Sequence, residues 1–250
     1  MARAFETSHK CLIDIVGTPM IARVLDTLLS SDRIGNIIIS IEHREIIESN
    51  GEVAKRLTKS GVSICESLPH ASASVAAAID FSGGAFPYLL VTADHALLSH
   101  DMLDHVCRAS EAAGGDIAVA LARDDVIEAR YPQTRRTYLR FADGRFSGCN
   151  LFVLKTPGAR AALGFWQHIE RERKAPWRLA RAFGFRTLFA YLTGRLSLAR
   201  AMASASRVIG TTANAIEVPI AEAAIDVDKS DDLALVREII QARKDAQQAG

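Results

Sequence analysis

The chain lacks the marks of several common protein classes. Its four cysteines, Cys11, Cys65, Cys107 and Cys149, form no CxxC pair, which excludes the usual zinc-binding spacings. A chain of 250 residues also buries enough surface to fold without a disulfide framework. Four reduced thiols in a cytoplasmic protein are the expectation. No apolar run approaches the roughly 18 residues that a membrane-spanning helix needs. The opening Met1-Ala2-Arg3-Ala4-Phe5-Glu6 contains no apolar core of a secretory leader, so export is not expected. Net charge is nearly absent as well. Thirty basic and 29 acidic residues leave +1, which by itself points to neither a nucleic-acid nor an acidic partner. There is no internal repeat and no low-complexity stretch. A single domain over residues 1–250 is the expected organisation.

What is present is an alternation of short apolar runs with helical patterns. Thr18-Pro19 reads as a helix start, with Thr18 as N-cap and Pro19 in the first helical position. Met20, Ile21, Val24, Leu25 and Leu28 then recur on one helical face. Ile37-Ile38-Ile39-Ser40-Ile41, Val62-Ser63-Ile64-Cys65, Tyr88-Leu89-Leu90-Val91-Thr92 and Ile117-Ala118-Val119-Ala120-Leu121 read as buried strands. Continuous apolar strands separated by helices imply an α/β fold, a Rossmann-like and mostly parallel sheet with helices on both faces.

The second half changes character. Residues 138–141 and 146–154 flank Asp143-Gly144, a hairpin signal. Residues 165–207 read as a helical insertion with nine basic residues against Glu170 and Glu172. That is a net +7, and it leaves −6 for the rest of the chain. Phe165, Trp166, Trp177, Phe183, Phe185, Phe189 and Tyr191 are interleaved with the arginines. Such a segment suits a peripheral membrane contact or a lid gripping an anionic acceptor through Arg171, Lys174 and Arg178. It equally suits an ordinary helix packed on one face and solvated on the other. Residues 215–218 and 223–227 return to strand patterns, and Ser230 is the expected cap of a final helix.

Few residues have both the chemistry and the position for a site. Asp94 closes a buried strand in Val91-Thr92-Ala93-Asp94-His95. Open parallel sheets bind ligands beyond the carboxyl ends of their strands, and a carboxylate there can hold a hard cation; it can also simply cap a turn. Ile225-Asp226-Val227-Asp228 is a second acidic site after a strand pattern, although Asp228 also suits helix capping. Lys10 precedes Gly17-Thr18-Pro19 and can neutralise phosphate. Ser72 and Ser74 open a helix, where free N–H groups and hydroxyls can receive a base or phosphate. Capping by Ser74 is the plain alternative.

Taken together, these segments resemble nucleotidyltransferases of the molybdenum-cofactor guanylyltransferase type. Lys10, followed by Gly17-Thr18-Pro19-Met20-Ile21, is similar to the segment after that family's phosphate loop. Thr92-Ala93-Asp94-His95-Ala96-Leu97-Leu98 resembles its metal-binding D-x-P-x-L strand end, with Ala96 in place of proline. Asp226-Val227-Asp228-Lys229-Ser230-Asp231-Asp232-Leu233 resembles its closing D-x-D-T-P-E-D-L. The stretch from Ser72 is similar to a base-contacting helix start in the methylerythritol-phosphate cytidylyltransferase branch. Gly148-Cys149-Asn150-Leu151-Phe152 resembles the strand under the acceptor site. The likeness covers residues 8–154 and 215–237. The family's glycine-rich loop, of the L-A-G-G-x-x-x-R-M type, belongs just before Ser8, where only seven residues without glycine stand. A late start codon or a degenerate member would account for this. In the first case the chain as given is a poor enzyme that an upstream extension restores.

The resemblance implies transfer of a nucleoside monophosphate from an NTP to a phosphorylated small molecule, with pyrophosphate released. Asp94, Asp226 and Asp228 would hold Mg²⁺, Lys10 would stabilise phosphate charge, and Asn150 would meet an acceptor hydroxyl. Ser72, Ser74, Lys10 and Asp94 would contact the nucleotide. No nucleic-acid partner is implied. Two other readings stand beside it. One is a nucleotide-binding module without turnover, favoured by the missing loop. The other is a glycosyltransferase of related fold that uses Asp226-x-Asp228 as its metal motif, although that motif usually stands mid-chain.

Overall fold

The structure, a computed structural model, describes residues 9–171 and 183–248. In chain order it contains α1 (Met20–Leu29), β1 (Ile37–Ile41), α2 (Glu45–Glu48), α3 (Gly51–Leu57), β2 (Val62–Glu66), α4 (Ala71–Phe81) and β3 (Tyr88–Val91). There follow α5 (His100–Ala112), β4 (Ile117–Arg123), α6 (Asp124–Arg130), β5 (Leu139–Phe141), β6 (Gly144–Leu154) and α7 (Arg160–Arg171). The chain closes with α8 (Phe185–Leu192), α9 (Leu198–Ile209), β7 (Ala213–Glu217) and α10 (Ser230–Gln248).

β1 and β2 pair in parallel as one sheet. The second runs β3-β6-β4-β7, with β5 hairpinned on β6. β4 and β7 are parallel, whereas β6 is antiparallel to both β3 and β4. The hairpin around Asp143-Gly144 sets β5 antiparallel to β6, since a two-residue connection can only return antiparallel. Neighbouring strand residues divide between two cores. Ala118 and Val153 pack in the cluster with Leu103 and Val106 of α5. Ile117 and Leu154 pack with Ile79 of α4 and Leu163 of α7. That alternation, one residue to each face, requires helices on both sides.

Three local expectations differ from the structure. α1 is capped by Pro19 rather than Thr18, and no side chain caps it. The Thr18 amide instead closes a turn onto the Ile15 carbonyl. Residues 223–227 are not a strand: a 3₁₀ turn over Ala221–Ala224 leads into extended chain. Lacking a neighbour to ladder with, this segment makes one bridge, from the Val227 amide to the Asp94 carbonyl at 3.2 Å. Ser230 is the first residue of α10 rather than its cap. The Asp232 carboxylate instead accepts from the amides of Asp228 and Lys229, at 3.1 and 2.9 Å.

The C-terminal helix closes the structure over the N-terminal segment. Ile13, Ile15 and Met20 form one core with Ile225, Val227, Leu233, Val236 and Ile240. Val16 sits at φ +53, a strained conformation for a β-branched residue. The turn is tied by cations: Lys244 donates to the Val16 carbonyl at 2.7 Å, Arg237 donates to the Asp14 carbonyl at 2.7 Å, and Arg23 donates to the Ile15 carbonyl.

Leu103 is fully buried between α5 and the sheet. Leu103→Ala is expected to lower unfolding free energy by about 2–5 kcal/mol in urea titration, the cost of lost transfer energy plus a cavity.

Candidate active site

The Val227–Asp94 backbone bond places two acidic segments side by side, at the end of β3 and ahead of α10. Asp94 Oδ2 accepts from Lys10 Nζ at 2.6 Å, and the same ammonium donates to Asp228 Oδ1 at 2.7 Å. Asp94 Oδ1 is buried and has no hydrogen-bond partner among the described residues. Asp226 Oδ1 accepts from Arg136 Nη1 at 2.7 Å, and Oδ2 accepts from Asn150 Nδ2 at 2.8 Å. Arg136 also donates to Asp232 Oδ1 at 2.8 Å. One carboxylate oxygen each from Asp94, Asp226 and Asp228 lie within 4.8 Å of one another.

Asn150 reaches Asp226 because β6 is irregular at that point. The β4–β6 register runs from Val119↔Phe152 to Leu121↔Gly148, so β6 carries extra residues there. Bulges of this kind re-aim side chains. Asn150 itself sits at φ +52, a left-handed conformation that asparagine tolerates better than most residues.

The electrostatics are unbalanced. Asp94, Asp226, Asp228 and Asp232 meet Lys10 and Arg136, four carboxylates against two cations. Burial raises the Asp226 carboxyl pKa above the usual range, and repulsion from Asp228 adds to it, against the pull of Arg136. Burial works to lower the Lys10 ammonium, but its hydrogen bonds and attraction to Asp228 and Asp94 outweigh burial and raise it. Each Asp226 oxygen holds one donor and retains a second lone pair. An oxygen-only donor set with residual negative charge and an orphaned Asp94 oxygen fits a hard divalent cation.

The chain's family can be assigned against this geometry. Residues 1–140 match the family model of the MobA-like NTP transferase domain. The chain belongs to that family. It is also similar, with TM-score 0.78 and 28% identity over 93% of both chains, to a hypothetical transferase structure from Thermus thermophilus. The fold is shared with CMP:2-keto-3-deoxy-manno-octonic acid synthetase complexed with CTP, at TM-score 0.56 and 14% identity over 96% of this chain and 95% of that one. It is likewise shared with 4-diphosphocytidyl-2C-methyl-D-erythritol synthase from Anaerococcus prevotii DSM 20548, at TM-score 0.53 and 10% identity over 92% and 93%. No curated protein matches the chain.

The fold brings Lys10, Asp94, Asn150, Asp226 and Asp228 to one place, the last three from beyond the stretch that the family model matches. Ser72 and Ser74 are buried and otherwise engaged. Ser72 donates to Glu170 Oε2 at 2.5 Å, and Ser74 bonds the Leu68 amide at 2.8 Å and the Leu68 and His70 carbonyls. Ser74 accordingly ties the approach to α4 from inside the helix; the N-cap position is His70. Arg171 ends α7; its side chain, Lys174 and Arg178 lie outside the described residues. Sequence reasoning missed Arg136, which stands in a loop beside Arg135, and it missed Asp232 as the partner of Arg136.

Two outcomes test this arrangement. Arg136 is almost wholly buried between Asp226 and Asp232. Removing one partner of a buried ion network is strongly destabilising, so Arg136→Ala should lose about 3–5 kcal/mol in metal-free thermal unfolding. Magnesium chloride should restore more stability to the variant than it adds to the wild type. His95, next to Asp94, is 1% exposed, and burial pushes its pKa down to about 4 from 6.5. The unfolded chain then takes up this proton first as pH falls. The neutral ring's contribution is whole above about 6.5 and is lost toward about 4, some 3 kcal/mol in total. His95→Leu should flatten the slope of urea stability against pH in that window.

Proposed function

We propose that the chain transfers a nucleoside monophosphate from an NTP to a phosphorylated small-molecule acceptor and releases pyrophosphate, with the chemistry at Asp94, Asp226 and Asp228. The observation that carries the reading is the convergence of these three carboxylates from two distant segments, with Lys10 bridging Asp94 and Asp228. Family membership supports it. In this reaction an acceptor phosphate oxygen attacks the α-phosphorus in line. A new P–O bond forms, the bond from the α-phosphorus to the bridging oxygen breaks, and pyrophosphate leaves with that electron pair. A Mg²⁺ held by Asp94, Asp226 and Asp228 would supply positive charge to the α-phosphate. Lys10 would turn its ammonium from the carboxylates toward phosphate oxygens. Arg136 holds the Asp226 carboxylate in one orientation, and Asn150 fixes its other oxygen. Both reduce the reorganisation needed when charge moves at the site.

One observation favours a second reading, a domain that holds nucleotide without turning it over. Both Asp226 oxygens already have protein donors. Pyrophosphate release measured with each NTP and a panel of phosphorylated acceptors separates the two. Turnover that falls about 10²–10³-fold in Asp94→Asn and Asp226→Asn, the range for removing one key electrostatic group, supports transfer. Nucleotide binding by calorimetry without pyrophosphate release from any acceptor supports the second reading. Turnover equal to wild type in both variants would refute a role for the cluster.

A further inference from the structure

α8 is turned the wrong way for an ordinary surface helix. Its inner face is held by polar and ring contacts. The Thr187 hydroxyl shares a 2.9 Å hydrogen bond with Ser204 of α9. The Tyr191 ring meets Phe141 edge-on, with centroids 6.0 Å apart. After the helix, the Leu196 carbonyl accepts from the Ala142 amide at 2.8 Å, which ties the segment to the β5–β6 turn. At helical spacing, Phe185, Phe189 and Leu192 fall together on the opposite face. They are 81%, 55% and 73% exposed, and the two phenyl rings stack with centroids 6.2 Å apart. Amphipathic helices normally bury their apolar stripe; this one presents it to water.

The chain segment that carries the stripe has charge of one sign, the nearby Asp143 carboxylate being engaged by the Leu198 amide. Residues 183–216 contain no aspartate or glutamate. Arg186, Arg195 and Arg200 are exposed and make no ion pair among the described residues. A partner for this face must therefore be apolar at its centre and anionic at its rim. An isologous contact with a second copy would set these arginines against themselves. An anionic bilayer supplies both properties, acyl chains for Phe185, Phe189 and Leu192 and headgroup phosphates for the arginines. Among the described residues no helix is long and apolar enough to cross a membrane, so contact through α8 lies in the plane of the surface.

We propose that α8, with its own Arg186 and with Arg195 just after it, docks the protein on anionic lipid bilayers. The inference goes beyond the nucleotidyl-transfer reading and does not depend on it. It is tested by co-sedimentation of the full chain with vesicles of equimolar phosphatidylglycerol and phosphatidylcholine, against vesicles of phosphatidylcholine alone. The protein should pellet with the first, and the binding should weaken with added salt, because the screening length falls from about 10 Å at 0.1 M to about 3 Å at 1 M. The double variant R186E/R195E should lower partitioning roughly 30-fold or more. The variant F185S/F189S/L192S should abolish pelleting with its circular-dichroism melt unchanged, because all three side chains are exposed. Should that variant fold poorly, the charge-reversal variant carries the test alone. No pelleting of wild type with anionic vesicles, or equal pelleting of wild type and R186E/R195E, would overturn the proposal. So would a dimer in sedimentation velocity that dissociates in the serine variant while vesicles stay unbound; that result would assign the face to a second copy.

Discussion

The hydrogen bond from the Val227 amide to the Asp94 carbonyl is the contact on which the site depends. It joins the end of β3 to the approach of α10 and forces two acidic segments together. Like charges at that separation repel, and burial deepens the cost, as the raised Asp226 carboxyl records. Lys10 and Arg136 make the arrangement tolerable by bridging the carboxylates in two pairs, Asp94 with Asp228 and Asp226 with Asp232. Asp232 does double duty. Its second oxygen holds the amides of Asp228 and Lys229, so the geometry of the acidic loop and the start of α10 are set by one side chain.

Beneath this polar layer lies a dry one. Ile225 and Val227 flank Asp226, and both are fully buried with Ile13, Ile15 and Met20. Alternation along extended chain sends the aspartates to one side and the apolar residues to the other. The apolar side anchors the loop, which gives the charged side its precision without a sheet ladder. Lys10 reaches the carboxylates from a short 3₁₀ turn at Lys10–Leu12, immediately before Ile13 enters the same core. The N-terminal and C-terminal parts of the chain thus meet through one apolar cluster that supports one acidic cluster.

Much of this was legible in the residues. β1 to β4 follow from short, largely apolar runs, and the β5–β6 hairpin follows from Asp143-Gly144. Asp94 and Asp226 stood out because each carboxylate closes an apolar stretch. Arg136 was not legible, because an arginine in a loop acquires meaning only from what the fold sets opposite it. Residues 223–227 looked like a strand because their apolar content is real, but their burial comes from packing rather than pairing, Ile225 and Val227 against α10 and Ala223 and Ala224 against the sheet. Asn150 was singled out by family likeness alone. Its reach to Asp226 depends on a register shift between β4 and β6, and no pattern in either strand announces it.

The near-neutral total charge conceals a separation that matters physically. Residues 165–207 carry +7 and the remainder −6, and the acidic excess includes the cluster at Asp94 and Asp226. A triphosphate approaching that cluster meets repulsion at short range, offset locally by Lys10 and Arg136. The basic stretch acts over longer distances, within about 10 Å at 0.1 M salt. Its two acids, Glu170 and Glu172, leave it a net +7, and residues 183–216 hold none. Among the described residues, its exposed Arg186, Arg195 and Arg200 make no ion pair, and Phe185, Phe189 and Leu192 face outward. A fold that turns Thr187 and Tyr191 inward while leaving those three side chains in water forgoes up to roughly 1.5–3 kcal/mol for each large apolar group it could have buried. The proposed docking on a surface apolar within and anionic at its edge would recover that cost.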